Sequence, residues 1–586
     1  MASLEKDRKA DQHIIKESYF RLVIINIIVL MASTMSGLVD NLVISRELGE
    51  EALAAVGFFA PVLALVGIGY VIVMGAAVLC GNYIGAGQQG KVSALFNSAV
   101  RVLTGFYLVF ALILVFGRGP LATLLGARGV ANELLRAYMV GYGPSVIFTM
   151  VAALLLSLAS FNNELTRSYI SAALLFVASI VFDLVLVKPL GIFGIGLATT
   201  LSNAIPVAVL LPVFLKKEAT VHFEKGRTDL KLVGEAAKRG MPALFFTAGM
   251  LIKNSLLNYS LAVSAGDAAI AVVNVMGSVC GIGGTFSGGF VNAYSILGSL
   301  YYGEEDRGGF VDLFCTSILY GTIFLTAAAA GIAFASKPLA GIFFAPGTDI
   351  WQMGQRMFLL GFWFLPLTFI FNLLINSYKI QDRMTLANIL SLLEPGLCGV
   401  FALMAVPGFG TDAAWLTCTW SDVVMIGIVL ISVFVWKKKV TFRPEDILKL
   451  PDDFGAAEDE YEEFNVTRRE QVSEISEEVW NFCKERGVDE KKAYWASLCV
   501  EEVTRNIFDF GTPGKMFFAI DVRVVCKDEL TIRFQDNCRK FDPCDYMKMM
   551  HPDSPEQNIG LRMVSKVASY MDYFNNAGIN TLILKI

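Results

Sequence analysis

The fold of this chain is decided by the stretch GLVDNLVISRELGEEALAAV, residues 37–56, which closes the first long apolar segment. It places Asp40 at membrane depth, where insertion scales put the cost of an Asp at about 3 kcal/mol. A chain usually keeps such a carboxylate in order to bind or relay a cation. We therefore predict that Asp40 belongs to a cation site. The alternative is that Asp40 lies close enough to the helix end to reach water.

Parts of the sequence recur at one spacing. Three pairs of similar segments share an offset of roughly 216 residues, as in the internal repeats of many transporters. The pairs are GEEALAAV (49–56) with GDAAIAVV (266–273), GAGQQGK (85–91) with YYGEEDR (301–307), and GIFGIGLAT (191–199) with PGFGTDAAW (407–415). Because all three pairs share this spacing, we predict that the membrane region consists of two related halves.

Composition separates a membrane region from a soluble tail. The 586 residues are 55% hydrophobic and 17% charged, which is too apolar for an ordinary soluble protein. Long apolar runs continue to about Trp436, and beyond it charged residues alternate with apolar ones. The net charge of -5 gives no indication of nucleic-acid binding. The 10 Cys include no CxxC pair and only 3 His are present, which argues against a disulfide framework or a zinc site.

The apolar runs predict an α-helical polytopic membrane protein with about twelve spans, since one span needs about 20 apolar residues. The predicted spans are 18–42, 52–80, 92–117, 134–160, 167–187, 191–215, 239–264, 268–300, 310–335, 352–378, 384–406 and 412–436. The predicted domains are a leader (1–17), an N-terminal bundle (18–215), a basic loop (216–238), a C-terminal bundle (239–437), a charged and solvated linker (438–459) and the tail (460–586).

Lys and Arg predict the orientation. They cluster in the leader, in the central loop around Lys216 and Arg227, and after the last span at Lys437 to Lys439. With twelve spans these segments share one side, which the positive-inside rule assigns to the cytoplasm. The leader has no small-residue cleavage site, so the first span is expected to be retained. The predicted location is the plasma (inner) membrane, in the lipid bilayer, with both termini cytoplasmic.

Other polar side chains fall inside the predicted spans. Asp183 and Glu394 are carboxylates within apolar runs, and such groups usually mark ion or substrate pathways. Amides often only bond neighbouring helices, and Lys253 can snorkel or pair with an acid. Asp40 and Asp183 belong to the same bundle, and two acids in one low-dielectric cavity suit a proton or sodium relay. The predicted pathway residues are Asp40, Asn41, Asp183, Asn203, Lys253, Asn258, Asn376 and Glu394.

Three segments in order resemble the multidrug and toxic compound extrusion (MATE) family, over about residues 15–437. They are VDNLVISRELGEEALAAVGFFAPV (39–62), GNYIGAGQQGK (81–91) and FDLVLVKPLGIFGIGLATTLSN (182–203). The resemblance implies two pseudo-symmetric six-helix bundles and cation-driven antiport of small organic, cationic compounds, with H⁺ or Na⁺ as coupling ion. Family acids of the first and fifth helices match Asp40 and Asp183. The chain departs from the family at Asn26, where a Pro is usual, and in SFNNE (160–164), whereas Pro242 is kept.

The tail is predicted to be an α+β sandwich in which helices pack against a mixed sheet. Helices are predicted at 468–486, at 489–510 and from about 559. Strands are predicted near 463–466 and at 516–526, 530–536, 571–575 and 580–586. Glu502 and Asn506 are spaced i, i+4 and so share one helix face, where a carboxylate could act as general base and an amide oxygen could bind magnesium. Asp536, in QDNCRKFDP (535–543), could accept a hydrogen bond from a base, and NIGLRMV (558–564) opens a helix whose N–H groups could meet phosphate.

Together these elements resemble the GHKL ATP-binding fold, and the anti-sigma-factor type of serine kinase in particular. The resemblance implies ATP and Mg²⁺ as cofactors, with Glu502 as catalytic base and Asn506 as magnesium ligand. It assigns Asp536 to adenine, with Phe541, Asp542 and Pro543 beside it, and Gly560 to the phosphate side. The chain departs from the family at Cys538 and Asn558, where glycines are usual.

Three functions remain open from sequence. The favoured one is an antiporter with an ATP-binding regulatory tail. The second is a membrane-anchored protein-serine kinase that uses the membrane region as a sensor. The third is a degenerate tail that binds a cytoplasmic protein partner. Intact Glu502, Asn506 and Asp536 favour the first two, and Cys538 and Asn558 favour the third.

Overall fold

The computed structural model describes residues 2–216, 219–224, 226–439, 441–457, 459–512, 518–527, 529–544, 559–576 and 578–586. They form a helical membrane region followed by a small α+β tail. The helices before the tail are α1 Ala2–Val43, α2 Glu50–Gly57, α3 Ala60–Val66, α4 Tyr70–Gly85, α5 Gln89–Phe116, α6 Arg118–Leu124, α7 Gly129–Tyr142, α8 Ser145–Ala159, α9 Leu165–Phe214, α10 Leu230–Gly240, α11 Pro242–Ala265, α12 Asp267–Gly303, α13 Arg307–Phe334, α14 Ser336–Phe343, α15 Asp349–Leu360, α16 Leu365–Ile380, α17 Met384–Phe409, α18 Thr411–Lys437 and α19 Pro444–Ile447.

Many of these helices match the length and apolarity of a membrane span. Nine helices of the described residues could cross a bilayer, or up to ten if the bent pair α15 and α16 forms one span. The longest, α9, contains the predicted span 167–187 and all but the last residue of the predicted span 191–215. It breaks at Gly191, whose φ of 57° and ψ of -139° are not helical. The helical polytopic fold is confirmed, and the number twelve stays a prediction.

The predicted internal repeat has a structural counterpart. Helix α4 ends at Gly85 and α5 begins at Gln89, whereas α12 ends at Gly303 and α13 begins at Arg307. The offset is 218 residues at both places (303 − 85 and 307 − 89). We call residues 85–89 the first elbow and residues 303–307 the second elbow. Gly49 and Gly266, in the first repeated pair, also share a backbone conformation, with φ of 84° and 72° and ψ of -175° and -168°.

The two departures from the family pattern have local explanations in the structure. Helix α1 runs through Asn26 without a break, and the Asn26 amide donates to the Leu22 carbonyl at 2.9 Å. In SFNNE, the Asn162 side chain donates to the Val221 carbonyl at 2.9 Å and accepts from the Val221 N–H at 2.8 Å. Asn162 therefore anchors the segment that joins the two bundles.

The basic loop and the charged linker are both partly structured. The basic loop contains most of α10, which is capped by Asp229 through the N–H groups of Lys231 and Leu232. Lys217 and Lys225 lie outside the described residues. In the linker, Leu448 and Leu450 are buried, and Arg307 of the second elbow donates to the Pro451 carbonyl at 2.9 Å. The prediction of a solvated linker was wrong, because its charges alternate with leucines that pack onto the membrane region.

The tail is a two-layer α+β unit. Its strands are β1 Tyr461–Val466, β2 Ile520–Cys526, β3 Leu530–Asp536, β4 Tyr570–Asn576 and β5 Ile579–Lys585, and its helices are α20 Gln471–Glu485, α21 Glu490–Asn506 and α22 Ile559–Val567. The sheet order is β1-β2-β3-β5-β4. All its pairings are antiparallel, so the prediction of a mixed sheet was wrong. Val522, Ile532 and Leu584 share a core with the helices. Alternate strand residues point to opposite faces, so Arg523 and Arg533 lie on the other face of the sheet.

Candidate functional site

The N-terminal bundle brings Asp40 together with hydroxyl groups. Ser179 of α9 donates to Asp40 Oδ1 at 3.1 Å. The Ser36 hydroxyl, one turn before Asp40 on α1, donates to the Ser179 hydroxyl at 2.6 Å. Helices α1 and α9 thus place hydroxyl oxygen atoms beside this carboxylate. Oxygen atoms are the ligands that hard cations prefer.

Asp183 lies beside Asp40, as the sequence predicts. It follows Ser179 by one turn of α9, is 1% exposed, and is close enough to interact directly with the Asp40 carboxyl group. Neither of its carboxylate oxygens meets a hydrogen-bond donor in the described part of the chain. A buried acid of this kind lacks a compensating charge, which a bound proton or metal cation would supply.

The C-terminal bundle contains a second acid pair. The Thr368 hydroxyl of α16 lies 3.0 Å from Glu394 Oε1 on α17 and 2.9 Å from Asp422 Oδ2 on α18. Both acids are buried, and Lys253 of α11 is close enough to interact electrostatically with each of them. The Lys253 ammonium also lies 5.6 Å from the centre of the Phe364 ring. This pair therefore has a nearby cation of the protein itself.

Sequence reasoning identified Glu394 and Lys253 but missed Asp422. The signal was available, because Asp422 follows TCTWS within the apolar run of the last predicted span, just as Asp183 lies within the fifth. The rule that an intramembrane carboxylate marks a site applies equally to both residues.

The contacts of the described residues do not connect the remaining predicted pathway residues to either acid pair. The Asn376 amide donates to the Asn372 carbonyl of its own helix at 2.9 Å. Asn258 is exposed on α11, among apolar side chains such as Tyr259 that face outward. Asn203 is half-buried on α9 beyond the Gly191 break. The side chain of Asn41 lies outside the described residues.

The tail has a pocket that combines several predicted residues. Its cavity volume is small, about 40 Å³. Asn506, Asp536, Phe541 and Pro543 line it. The other lining residues are Val503, Ile507, Gly511, Phe534, Arg539, Leu561, Tyr573, Asn580 and Leu582. A mostly apolar cleft with a few convergent polar groups is the usual form of a small-molecule site.

Asp536 is fixed at one wall of this pocket. Its Oδ1 accepts from the Cys538 N–H at 2.8 Å and from the Asn580 amide at 2.7 Å. Asn580 is held in turn by the Tyr573 hydroxyl, which donates to Asn580 Oδ1 at 2.7 Å. Burial raises the pKa of Tyr573, and Asp536 and Asp542 add to the effect, so this hydroxyl keeps its proton and donates. Tyr573 and Asn580 were missed from sequence because only strand pairing brings β4 and β5 beside Asp536.

Asn506 and Glu502 share a face of α21, as predicted. The Asn506 NH₂ group donates to the Glu502 carbonyl at 2.6 Å, which leaves the amide oxygen as the atom suited to a cation. The Glu502 carboxylate lies against Gly560 at the start of α22, where a Cβ atom would overlap it. The two segments that resemble the ATP-binding family, around Asn506 and around Gly560, therefore lie side by side. However, the Glu502 carboxylate lies at the start of α22, where phosphate was expected.

Two other predicted residues have structural roles. Asp542 Oδ1 accepts from the Cys544 N–H at 2.8 Å and so stabilises the turn after Phe541. The Cys538 side chain is buried and packs toward Gly511. Asn558 and the residues before it, 545–557, lie outside the described residues.

The fold of the membrane region is similar to that of MATE-type membrane transporters. Residues 26–187 match the family model described as MatE. The Multidrug export protein MepA of Staphylococcus saprophyticus subsp. saprophyticus is 26% identical over 229 residues, which are 38% of this chain and 50% of that protein. The chain thus matches about half the length of this curated relative.

Solved structures match a larger share of the chain. A MATE transporter in complex with MaD3S is 19% identical, with 74% of this chain and 97% of that chain covered and a TM-score of 0.65. A MOP superfamily transporter from Pyrococcus furiosus is 19% identical, with 74% and 96% covered and a TM-score of 0.64. The Vibrio cholerae MATE transporter VcmN is 16% identical, with 73% and 98% covered and a TM-score of 0.64. These likenesses establish the MATE transporter fold for the membrane region.

Proposed function

We propose that this chain is a MATE-type secondary antiporter that exports small organic cations in exchange for H⁺ or Na⁺. The observation that carries the proposal is the adjacency of Asp40, which is half-buried, and Asp183, which is buried, without a fixed counter-charge among the described residues. A mobile cation that enters and leaves this site would compensate them. The match of residues 26–187 to the MatE model and the MATE fold support the same conclusion.

The proposed orientation places the tail in the cytoplasm and the membrane region in the plasma membrane. Glu17 of α1, both elbows and the tail lie on one side of the structure, since the tail contacts each of the others. The α10 segment lies beside them, because its Glu235 accepts from Tyr83, two residues before the first elbow. Two of the three Lys and Arg clusters are on or next to these segments, and the third, Lys437 to Lys439, precedes the linker to the tail, as the positive-inside rule requires. We call this end of the membrane region the tail side.

Transport by purified full-length protein in sealed vesicles tests the main proposal. A fluorescent organic cation should be moved against its gradient when an inward H⁺ or Na⁺ gradient is imposed, and not when both gradients are collapsed. Separate H⁺ and Na⁺ gradients identify the coupling ion. Transport that is equal with and without either gradient contradicts antiport.

We infer that the tail binds Mg-ATP and regulates the transporter. The fit rests on the pocket, where Asp536 lies at one wall and Asn506 at another between apolar side chains. Asp536 would accept from the adenine amino group and the Asn506 oxygen would hold Mg²⁺, so ATP would supply phosphates near α22. The alternative is a membrane-anchored protein-serine kinase, which the position of Glu502 next to Asn506 favours.

Nucleotide binding and turnover by the full-length chain separate the alternatives. Asp536→Asn and Asn506→Ala should lose Mg-ATP binding, while Glu502→Ala should keep it. If the tail is a kinase, Glu502→Ala should lower turnover by roughly 100-fold or more, as expected for loss of a general base. If the tail only regulates, wild type and Glu502→Ala should both bind without turnover. Absence of binding at millimolar Mg-ATP contradicts both and leaves the degenerate interaction module.

A further inference from the structure

The sheet of the tail has a polar face that is covered rather than solvated. Its helix-covered face carries the apolar residues of the tail core. The opposite face carries Asp521, Arg523, Arg533 and Gln535, and each of them is nearly completely buried. Charged side chains are almost never fully buried unless they are paired. The membrane region provides part of this pairing, in addition to the tail's own Glu463, which pairs with Arg523, and Asp521, which pairs with Arg533.

The partners on the C-terminal bundle belong to the second elbow. Arg533 Nη1 lies 2.6 Å from Asp306 Oδ2 and 2.9 Å from Glu304 Oε2. Arg523 pairs with the other oxygen of Asp306. Asp306 also accepts from the Gly309 N–H at 2.9 Å and so caps α13. The ion pairs therefore connect the tail to the start of a membrane helix.

The partners on the N-terminal bundle belong to the first elbow. The Tyr570 hydroxyl donates to the Gly87 carbonyl at 3.1 Å, and the Gln89 amide donates to Asp572 at 3.4 Å. The tail thus contacts the repeat-related elbows of both bundles at once. One rigid sheet, with Tyr570 in β4 and Arg533 in β3, links the two contacts.

The two bundles are in close contact directly beside the elbows. A Cβ atom at Gly85 would overlap the Leu300 carbonyl, and one at Gly303 would overlap the Asn82 carbonyl. Ser299 is completely buried and packs against Gly81 in the same way. Helices α4 and α12 are therefore closed against each other on the tail side, and a pathway to this side requires them to separate.

We propose that the tail is a nucleotide-controlled clamp that binds both elbows and so holds the two bundles together on the tail side. This inference rests on the proposed function, because opening on this side is a step of alternating access. To open it, the tail must leave at least one elbow, since one sheet cannot follow two bundles that move apart.

The nucleotide pocket is connected to the clamp through the sheet. Asp536 and Asn580 pair across β3 and β5, and the residues next to them touch α1. The Asn537 amide, directly after Asp536, donates to Glu17 at 3.0 Å. A Cβ atom at Gly578, close before Asn580, would come within 2.5 Å of Arg21 Nη1. A ligand that repositions Asp536 and Asn580 therefore acts on the contacts between tail and membrane region.

Accessibility of position 299 measures the clamp directly. In the full-length Ser299→Cys protein, a membrane-impermeant maleimide should label position 299 slowly because the seam is closed. Mass spectrometry of the peptide that contains 299 keeps this signal separate from the native cysteines. Adding Arg533→Glu should raise the labelling rate about tenfold or more, since removing one partner of a buried ion pair is strongly destabilising. Arg469→Glu, at an exposed pair with Asp509 within the tail, is the matched control and should leave the rate unchanged.

A charge swap distinguishes undocking from unfolding. Glu304→Arg combined with Arg533→Glu should return the labelling rate toward that of Ser299→Cys alone, which an unfolded tail could not do. A rate unaffected by Arg533→Glu, an equal rise in Arg469→Glu, or no recovery in the swap would overturn the clamp.

Mg-ATP tests the control of the clamp. It should change the labelling rate of Ser299→Cys at least severalfold and have no effect after Asp536→Asn. A chain that binds Mg-ATP with an unchanged labelling rate contradicts nucleotide control. If the chain binds no nucleotide, the proposed function of the tail fails, while the Arg533→Glu result still decides whether the clamp exists.

Discussion

Two groups of buried acids in this molecule have opposite surroundings. Asp183, beside Asp40 in the N-terminal bundle, meets no donor to its carboxylate in the described residues. Asp306, in the second elbow, is held by Arg523 and Arg533. Burial acts to raise the pKa of Asp306, but the two guanidinium groups outweigh it and hold the pKa below its ordinary range. A buried acid with fixed cations serves structure, whereas one without them needs a mobile cation, and under the proposed function this difference distinguishes the transport site from a structural contact.

The largest effect expected from this contrast is at Asp40. Asp40→Asn should abolish gradient-driven transport, because the amide cannot carry the negative charge that a mobile cation compensates. The protein should still fold, since the amide oxygen can accept from Ser179 as the carboxylate does. Vesicle transport of the variant measures this, with Asp349→Asn, an exposed acid at the start of α15, as the control. Undiminished transport in Asp40→Asn would place the coupling site elsewhere.

A smaller change is expected at Asp183. Asp183→Asn should retain some transport but shift its pH dependence, because two adjacent acids titrate together and the loss of one changes the other. The measurement is the initial rate of transport over a range of pH for both proteins. An unchanged profile would show that the two carboxyl groups do not share protons, and the adjacency would lose its functional meaning.

The acid pair of the C-terminal bundle has one nearby cation, Lys253, and so is intermediate between Asp183, which has none, and Asp306, which has two. The substitution Thr368→Val tests the role of this pair. The substitution removes the hydroxyl that bonds Glu394 and Asp422 and should cost about 1–3 kcal/mol in unfolding free energy, the usual penalty for unsatisfied buried groups. Gradient-driven transport should persist, because Asp40 and Asp183 are untouched. Thermal unfolding and transport of the same preparation check both expectations. Loss of coupling with unchanged stability would move the cation site to this bundle.

The smallest effect expected is a pH dependence of docking at Glu304. Burial raises the pKa of Glu304 from its ordinary value of 4.5 to about 7, although Arg533 opposes the shift. The docked state therefore binds more protons than an undocked one between about pH 4.5 and 7, and docking weakens as the pH rises through that window. The charged groups around Glu304 are Asp306, Arg523 and Arg533, with Glu463 and Asp521 beside the arginines.

Comparison of two proteins removes the pH dependence of the thiol chemistry itself. At each pH the labelling rate at 299 in Ser299→Cys is divided by the rate in Ser299→Cys with Glu304→Gln. The ratio should rise between pH 5 and pH 8, because only the first protein loses docking energy by ionisation. A constant ratio would show that Glu304 does not titrate in this window.

The candidate membrane acids could be identified from sequence because the cost of a carboxylate in an apolar run depends on local sequence alone. Asp40 and Asp183 stand out on that basis, and Asp422 could have been found by the same rule. The ion-pair partners of Arg523 and Arg533 could not be predicted from the sequence. Strand alternation shows only that the two arginines share a face, and which surface covers it depends on how the domains dock. The prediction for the linker was wrong for another reason. Charged residues dominate its sequence, although Leu448 and Leu450 pack onto the membrane region.

That packed linker decides where the chain can be cut. A membrane region expressed up to Lys437 would leave uncovered the apolar surface that Leu448 and Leu450 protect. It would also lose the carbonyl groups that bind Arg307 and the Phe454 ring stacked on Tyr302 at 4.6 Å. A truncation after residue 455 keeps these contacts, so that the shorter protein should stay soluble in mild detergent. The natural boundary between the two domains therefore falls at the end of the linker and not at its beginning.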